Sequence, residues 1–182
     1  MSSSPIGSMR NVKIFVLYLL ENINYPLDFC TINDVVMQTD YVMYLDFAEA
    51  FYNMVDMNLI EKIDADGKEY YLITDRGRCV ARELKSDILP VMLDKALAKA
   101  LRFLDFKKRN VVAKCTIEKT DDGRYAVICS FTEKNVCIYS QTLVVDTENR
   151  ASRMRDNFYD RPEVIYRGVV ALMAGNVDYL FN

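Results

Sequence analysis

Apolar residues recur three and four positions apart through the first half of the chain and on alternate positions through much of the second, so helices are predicted first and a sheet later. Residues 9–23 place Val12, Phe15, Val16, Leu19, Leu20 and Ile23 on one helical stripe. The stretch Asn24-Tyr25-Pro26-Leu27 interrupts it. Thr31 is expected to cap a short second helix through Ile32, Val35 and Val36. A tyrosine-rich loop, Tyr41 to Tyr44, leads to a third helix, expected to be capped by Asp46 and to bury Phe47, Ala50, Phe51, Met54 and Val55. Leu59 and Ile60 then enter a hairpin from Glu61 to Ile73. Its Asp66-Gly67 pair suits a two-residue turn in which both residues need positive φ. Thr74 is placed to cap a fourth helix.

Ile88-Leu89-Pro90 ends that helix, and Pro90 suits the first turn of the next. Residues 91–108 are expected to form a long amphipathic helix with Leu93, Leu97, Ala100, Leu101 and Leu104 on one face. The period then changes to two. Ala113, Cys115 and Ile117 alternate with Lys114, Thr116 and Glu118, and Asp122-Gly123 marks a tight turn. Tyr125, Val127, Cys129 and Phe131 alternate on a second strand, and residues 136–145 supply a third. Residues 147–160 and 162–174 read as two closing helices, separated near Arg161-Pro162. The fold class is therefore α+β.

The order helix, helix, helix, hairpin, helix is that of a winged helix-turn-helix. The segments Asn58-Leu59-Ile60, Asp66-Gly67 and Tyr71-Leu72-Ile73-Thr74-Asp75-Arg76-Gly77 resemble the wing and following helix of PadR and MarR types of transcription regulator. In this reading Leu59 and Ile60 lock the third helix to the wing, Tyr71 and Ile73 point inward, and Gly77 permits close backbone packing. Including the Ile88-Leu89-Pro90 junction, the helix to Asn110 and the hairpin around Asp122-Gly123-Arg124-Tyr125, the chain from Met9 onward resembles the bacterial family called domain of unknown function 4364. That resemblance implies an N-terminal winged helix joined by a long helix to a small antiparallel three-stranded sheet with C-terminal helices. It implies no activity and carries over no site residue. The expected organisation is a disordered leader at 1–8, a winged-helix domain at 9–89, a connecting helix at 90–109 and the sheet with its helices at 110–182.

Composition removes several chemistries. The sequence has no histidine, so imidazole ligands, Ser–His and Cys–His pairs and imidazole acid–base catalysis are excluded. Its five cysteines, Cys30, Cys79, Cys115, Cys129 and Cys137, show no Cys-x-x-Cys spacing and read as free thiols of a reducing cytosol, with Cys115 and Cys129 as small buried apolar residues. Six glycines form no phosphate-binding loop. No apolar run is long enough to span a bilayer, and residues 1–8 lack the apolar stretch of a signal peptide. A cytoplasmic, non-enzymatic protein without cofactor or metal is expected. Asp121-Asp122 and the Asp64/Asp66 pair are read as turn residues.

Charge complicates the regulator-like picture. Between Asp28 and Asp75 eleven acids face only Lys62 and Lys68, a net of −9, whereas residues 76–114 hold eleven bases and four acids, a net of +7. DNA affinity comes largely from Lys and Arg on phosphate. Yet the third helix is expected to expose Asp46, Glu49, Tyr52, Asn53 and Asp56. Tyr44, Tyr52, Asn53, Lys62 and Lys68 are the candidate contacts to double-stranded DNA or to a protein partner. Lys95, Lys99 and Arg102 form a helical stripe that would meet phosphate or the acidic helix of a second copy, or would simply be solvated. Leu93, Leu97, Leu101 and Leu104 are either a homodimer seam or a face packed on the chain's own sheet. Fold analogy places a DNA-binding, transcription-regulator-like role first. A non-DNA adaptor that uses an acidic winged helix is the alternative.

Overall fold

A computed structural model describes residues 4–176 and contains two compact units, divided between Leu104 and Asp105. The first unit holds α1 (Met9–Ile23), α2 (Phe29–Met37), α3 (Tyr44–Asp56), β1 (Ile60–Ala65), β2 (Lys68–Ile73), α4 (Asp75–Leu84) and a 3₁₀ turn at Lys85–Asp87. The boundary falls within α5 (Pro90–Lys108). The second unit holds β3 (Val112–Lys119), β4 (Tyr125–Glu133), β5 (Val136–Val145), α6 (Glu148–Asp160) and α7 (Pro162–Met173). The architecture is mixed α+β: helices, then a small antiparallel three-stranded sheet, then C-terminal helices.

The first unit is built around α1, whose Val12, Phe15, Val16 and Leu19 are almost wholly buried. Phe47, Ala50, Phe51 and Met54 of α3 close the same core. Phe51 meets Phe29 edge-on at 5.0 Å and Tyr71 edge-on at 4.9 Å, which ties α2, α3 and β2 together. β1 and β2 pair antiparallel around Asp66 (φ 52) and Gly67 (φ 72), the positive dihedrals that the turn pair predicts. A bridge from Leu27 to Tyr71 adds a third short segment to the hairpin. Thr74 caps α4 by accepting the Gly77 N–H, and its hydroxyl donates to the Asn58 carbonyl at 2.9 Å.

Several expectations need correction. Thr31 lies inside α2; the cap is Asp28, whose carboxylate accepts from Thr31 N–H at 2.9 Å and from its hydroxyl at 2.6 Å. Asp28 wins because it precedes the apolar run by the right offset and its ionised oxygens are strong acceptors. Asp46 does not cap α3, which starts at Tyr44 with no side-chain cap from Met43. Asp46 instead accepts from the backbone N–H and hydroxyl of Ser4, while Ser4 Oγ accepts from Met43 N–H. Residues 4–8 of the expected leader are accordingly placed: Ser4 and Ile6 are buried and Ser8 caps α1. Residues 1–3 lie outside the described residues. Leu101 is 47% exposed, because Leu93, Ala96, Ala100 and Leu104 form the buried face of α5. Those residues belong to the core of the first unit, and Leu97 packs against it.

In the second unit β4 is central, with β3 and β5 on its edges. Cys115, Val127 and Phe131 face α6 and α7, as the alternation predicts. Phe131 stacks on Phe158 at 4.7 Å and meets Tyr166 edge-on at 5.5 Å. The loop at Asp122-Gly123 is longer than a two-residue turn: only Gly123 has positive φ, and Thr120 N–H donates to the Arg124 carbonyl. The two-residue turn is at Lys134-Asn135, both with positive φ. Arg109 grips Glu133 through two nitrogens at 3.1 and 2.7 Å, and its guanidinium lies 5.8 Å from the Tyr166 ring centre.

Candidate functional site

Two places merit a functional reading, one in each unit. The first is the outward face of α3. Burial of Phe47, Ala50, Phe51 and Met54 forces the opposite stripe outward. That stripe presents Tyr44 at 54% exposure, Leu45 at 75% and Tyr52 at 60%, with Glu49, Asn53 and Asp56 exposed among them. Tyr52 is braced from beneath by Phe29, stacked with ring centres 6.0 Å apart. Met43 and Met57 are also exposed at the two ends of the helix. The face is apolar and aromatic at its centre and acidic around it. Sequence reasoning missed Leu45, although its place seven residues before Tyr52 puts the two on one stripe.

The other candidate residues have unequal standing. Asn53 accepts from Lys13 Nζ of α1, a cation the sequence reading did not connect to α3. Lys62 is tied across the hairpin to Glu69, which raises the lysine's pKa and lowers the carboxylate's, while Glu69 also accepts from the Tyr71 hydroxyl at 3.2 Å. Lys68 is exposed on β2. Lys95, Lys99 and Arg102 are exposed on α5, and Lys99 donates to the Gln38 carbonyl at the end of α2. Tyr41 is half-buried against Phe15, so its role is packing.

The second place is a half-open pocket of about 330 Å³ in the second unit. Val127 and Cys129 of β4, together with Tyr139, Gln141 and Leu143 of β5, form its sheet wall. Met154, Asn157 and Phe158 of α6, with Ile165 and Val169 of α7, form the helical wall. No lining residue is charged. The Tyr139 hydroxyl donates to Gln141 Oε1, which leaves the amide nitrogen of Gln141 as a donor.

Cys129 faces Cys115 directly across the strands, sulfur to sulfur at 3.1 Å. Burial and that neighbour push the Cys129 thiol up to about 12, so it stays neutral and weakly nucleophilic. Cys115 is held from the other side. Its N–H donates to the Tyr159 hydroxyl at 2.8 Å, and that hydroxyl donates to its carbonyl at 3.1 Å. Nothing in the sequence signalled this cavity, because alternation predicts an inward face but not whether the facing helices fill the space above it.

Glu163, at the start of α7, is buried, and its Oε2 has no hydrogen-bond partner among the described residues. Burial raises its pKa, against the opposing pull of Arg161 and Arg167. Among the described residues no helix is long and apolar enough to cross a membrane.

Comparison with known proteins returns no similar curated protein and no similar solved structure. A family description does match, over residues 12–173, which runs from within α1 to the end of α7 and so reaches both units. The chain belongs to the family described as Domain of unknown function (DUF4364).

Proposed function

We propose that the first unit is a winged-helix module that binds a protein partner through α3. The helix–helix–helix–hairpin–helix order supports the winged-helix reading and the likeness to PadR and MarR types of regulator. The observation that carries the function is the outward face of α3, where Tyr44, Leu45 and Tyr52 stand exposed among Glu49 and Asp56 with no Lys or Arg on the helix. Exposed tyrosine on a braced base is characteristic of protein interfaces. Carboxylates around it select a partner with basic groups at matching positions and repel nucleic acid. Lys62 of the hairpin is already neutralised by Glu69.

A photo-crosslinking residue in place of Tyr52, introduced in cells, identifies the partner, which is then titrated against purified protein. Glu49→Lys with Asp56→Lys is expected to weaken binding at least tenfold, and Leu45→Asp to abolish it. Unchanged affinity in both variants would remove α3 from the interface.

A DNA-binding regulator is the second reading. It is favoured by Lys13 beside Asn53, which sets one cation at the edge of α3, and by the exposed Lys68. Titration of labelled genomic DNA fragments at about 50 and 200 mM salt separates the two. Phosphate contacts require affinity to fall by orders of magnitude over that range. The protein-binding reading expects no binding even at the lower salt. Steep salt dependence that is reduced in Lys13→Ala with Lys68→Ala would establish DNA binding instead.

A further inference from the structure

We propose that the cavity in the second unit is a binding site for a neutral, largely apolar molecule of about single-ring size that carries one hydrogen-bonding group. Here Phe131, Phe158 and Tyr166 fill one end of the space between sheet and helices at ring distances of 4.7 and 5.5 Å, while about 330 Å³ stays open at the other. That volume lies at the lower end of the ~300–1,000 Å³ range of small-molecule sites.

The lining chemistry narrows the ligand. Val127, Leu143, Ile165 and Val169 offer only apolar contact. Met154 and Phe158 add a polarisable sulfur and a ring, both favourable to a flat aromatic ligand. Among the polar groups, the Gln141 amide is oriented by the Tyr139 hydroxyl, which occupies its oxygen and leaves N–H to donate. A carbonyl or hydroxyl oxygen on the ligand would accept that bond. Charge is excluded by the walls: no lining side chain is ionised, and Cys129 remains a thiol. A carboxylate or ammonium ligand would give up part of its hydration with no counter-charge in return. Leu143 on edge strand β5 and Asn157 on α6, both lining residues, are exposed.

The full chain is titrated by calorimetry and ligand-observed NMR with benzamide, phenol and toluene as neutral probes, and with benzoate and benzylamine as charged counterparts of matching size. Saturable binding of the neutral probes is expected, with the charged pair at least tenfold weaker. Val169→Phe, which puts a ring into the space, is expected to abolish binding while the circular-dichroism spectrum and melting curve stay those of a folded protein. Gln141→Leu should weaken benzamide about tenfold and leave toluene unchanged. The proposal fails if no neutral probe saturates at millimolar concentration, if benzoate binds as well as benzamide, or if a folded Val169→Phe variant binds as the parent does.

Discussion

At Gly77 the absence of a side chain is a steric requirement. A Cβ built there would sit 2.2 Å from the Leu59 carbonyl oxygen and 2.7 Å from Ile73 Cγ1. The same carbonyl accepts from Thr74 N–H at 3.1 Å, so it cannot retreat without breaking the start of α4. Gly→Ala inside a helix ordinarily stabilises by ~1 kcal/mol, but the clash outweighs that and should cost about 3 kcal/mol. Gly77→Val is expected to unfold the first unit, and Leu59→Asp to do the same by burying an unpaired charge. Circular-dichroism melts that match the parent would contradict both. This glycine was legible in the sequence because it follows a capping Thr74 and a returning strand. Glu163 was not: whether a carboxylate at the start of a helix faces water or a core depends on what packs over it. Its raised pKa means that the folded state holds a proton which the unfolded chain releases. Stability contributed by the protonated form is therefore present below the ordinary value of 4.5 and is lost as pH rises from there through the raised value. Glu163→Gln should raise the melting temperature by a few degrees at pH 7 and have little effect below pH 4.5. An equal shift at both pH values would show that ionisation is not the cause.

Element by element, periodicity carried the reading furthest where one face alone is buried. α1, α3, α4 and the alternation of β3 and β4 follow from it, and so does the turn at Asp66-Gly67. Asp28 was readable too, as an acid one position before an apolar run and three before Thr31, but the choice of Thr31 as cap passed it over. The start of α3 was out of reach, since its support is Ser4, about forty residues earlier in the chain. Leu101 was misplaced because alanines at 96 and 100, not a fourth leucine, complete the buried face of α5. The join of α6 to β3 is equally non-local. Tyr159 serves as both donor and acceptor for the Cys115 backbone at an otherwise unpaired sheet edge. Tyr159→Phe leaves that N–H and carbonyl without partners and should cost ~1–3 kcal/mol. Hydrogen exchange at the Cys115 amide should accelerate accordingly; unchanged protection would mean that the hydroxyl contributes nothing to docking α6.

Across the whole molecule, two separate cores make a prediction about cooperativity. The first gathers Phe15, Phe47, Phe51 and Met54 with the inner face of α5 as far as Leu104, and the second begins at Phe106 and centres on Phe131 and Phe158. Each has its own aromatic cluster, and a core of its own is what allows a unit to open as a unit. Substitutions that weaken one core should therefore act mainly on that unit's amides. Gly77→Ala is expected to speed exchange through α1, α3, β1 and β2, with β3, β4 and β5 near parental rates. Tyr159→Phe should do the reverse, and a neutral ring probe bound in the cavity should slow exchange in β4, β5, α6 and α7 alone. Hydrogen exchange followed by mass spectrometry reads all three on one intact chain. If Gly77→Ala opens β3 to β5 as much as α1, the helix that spans the boundary transmits unfolding, and the chain is one cooperative body despite its two cores.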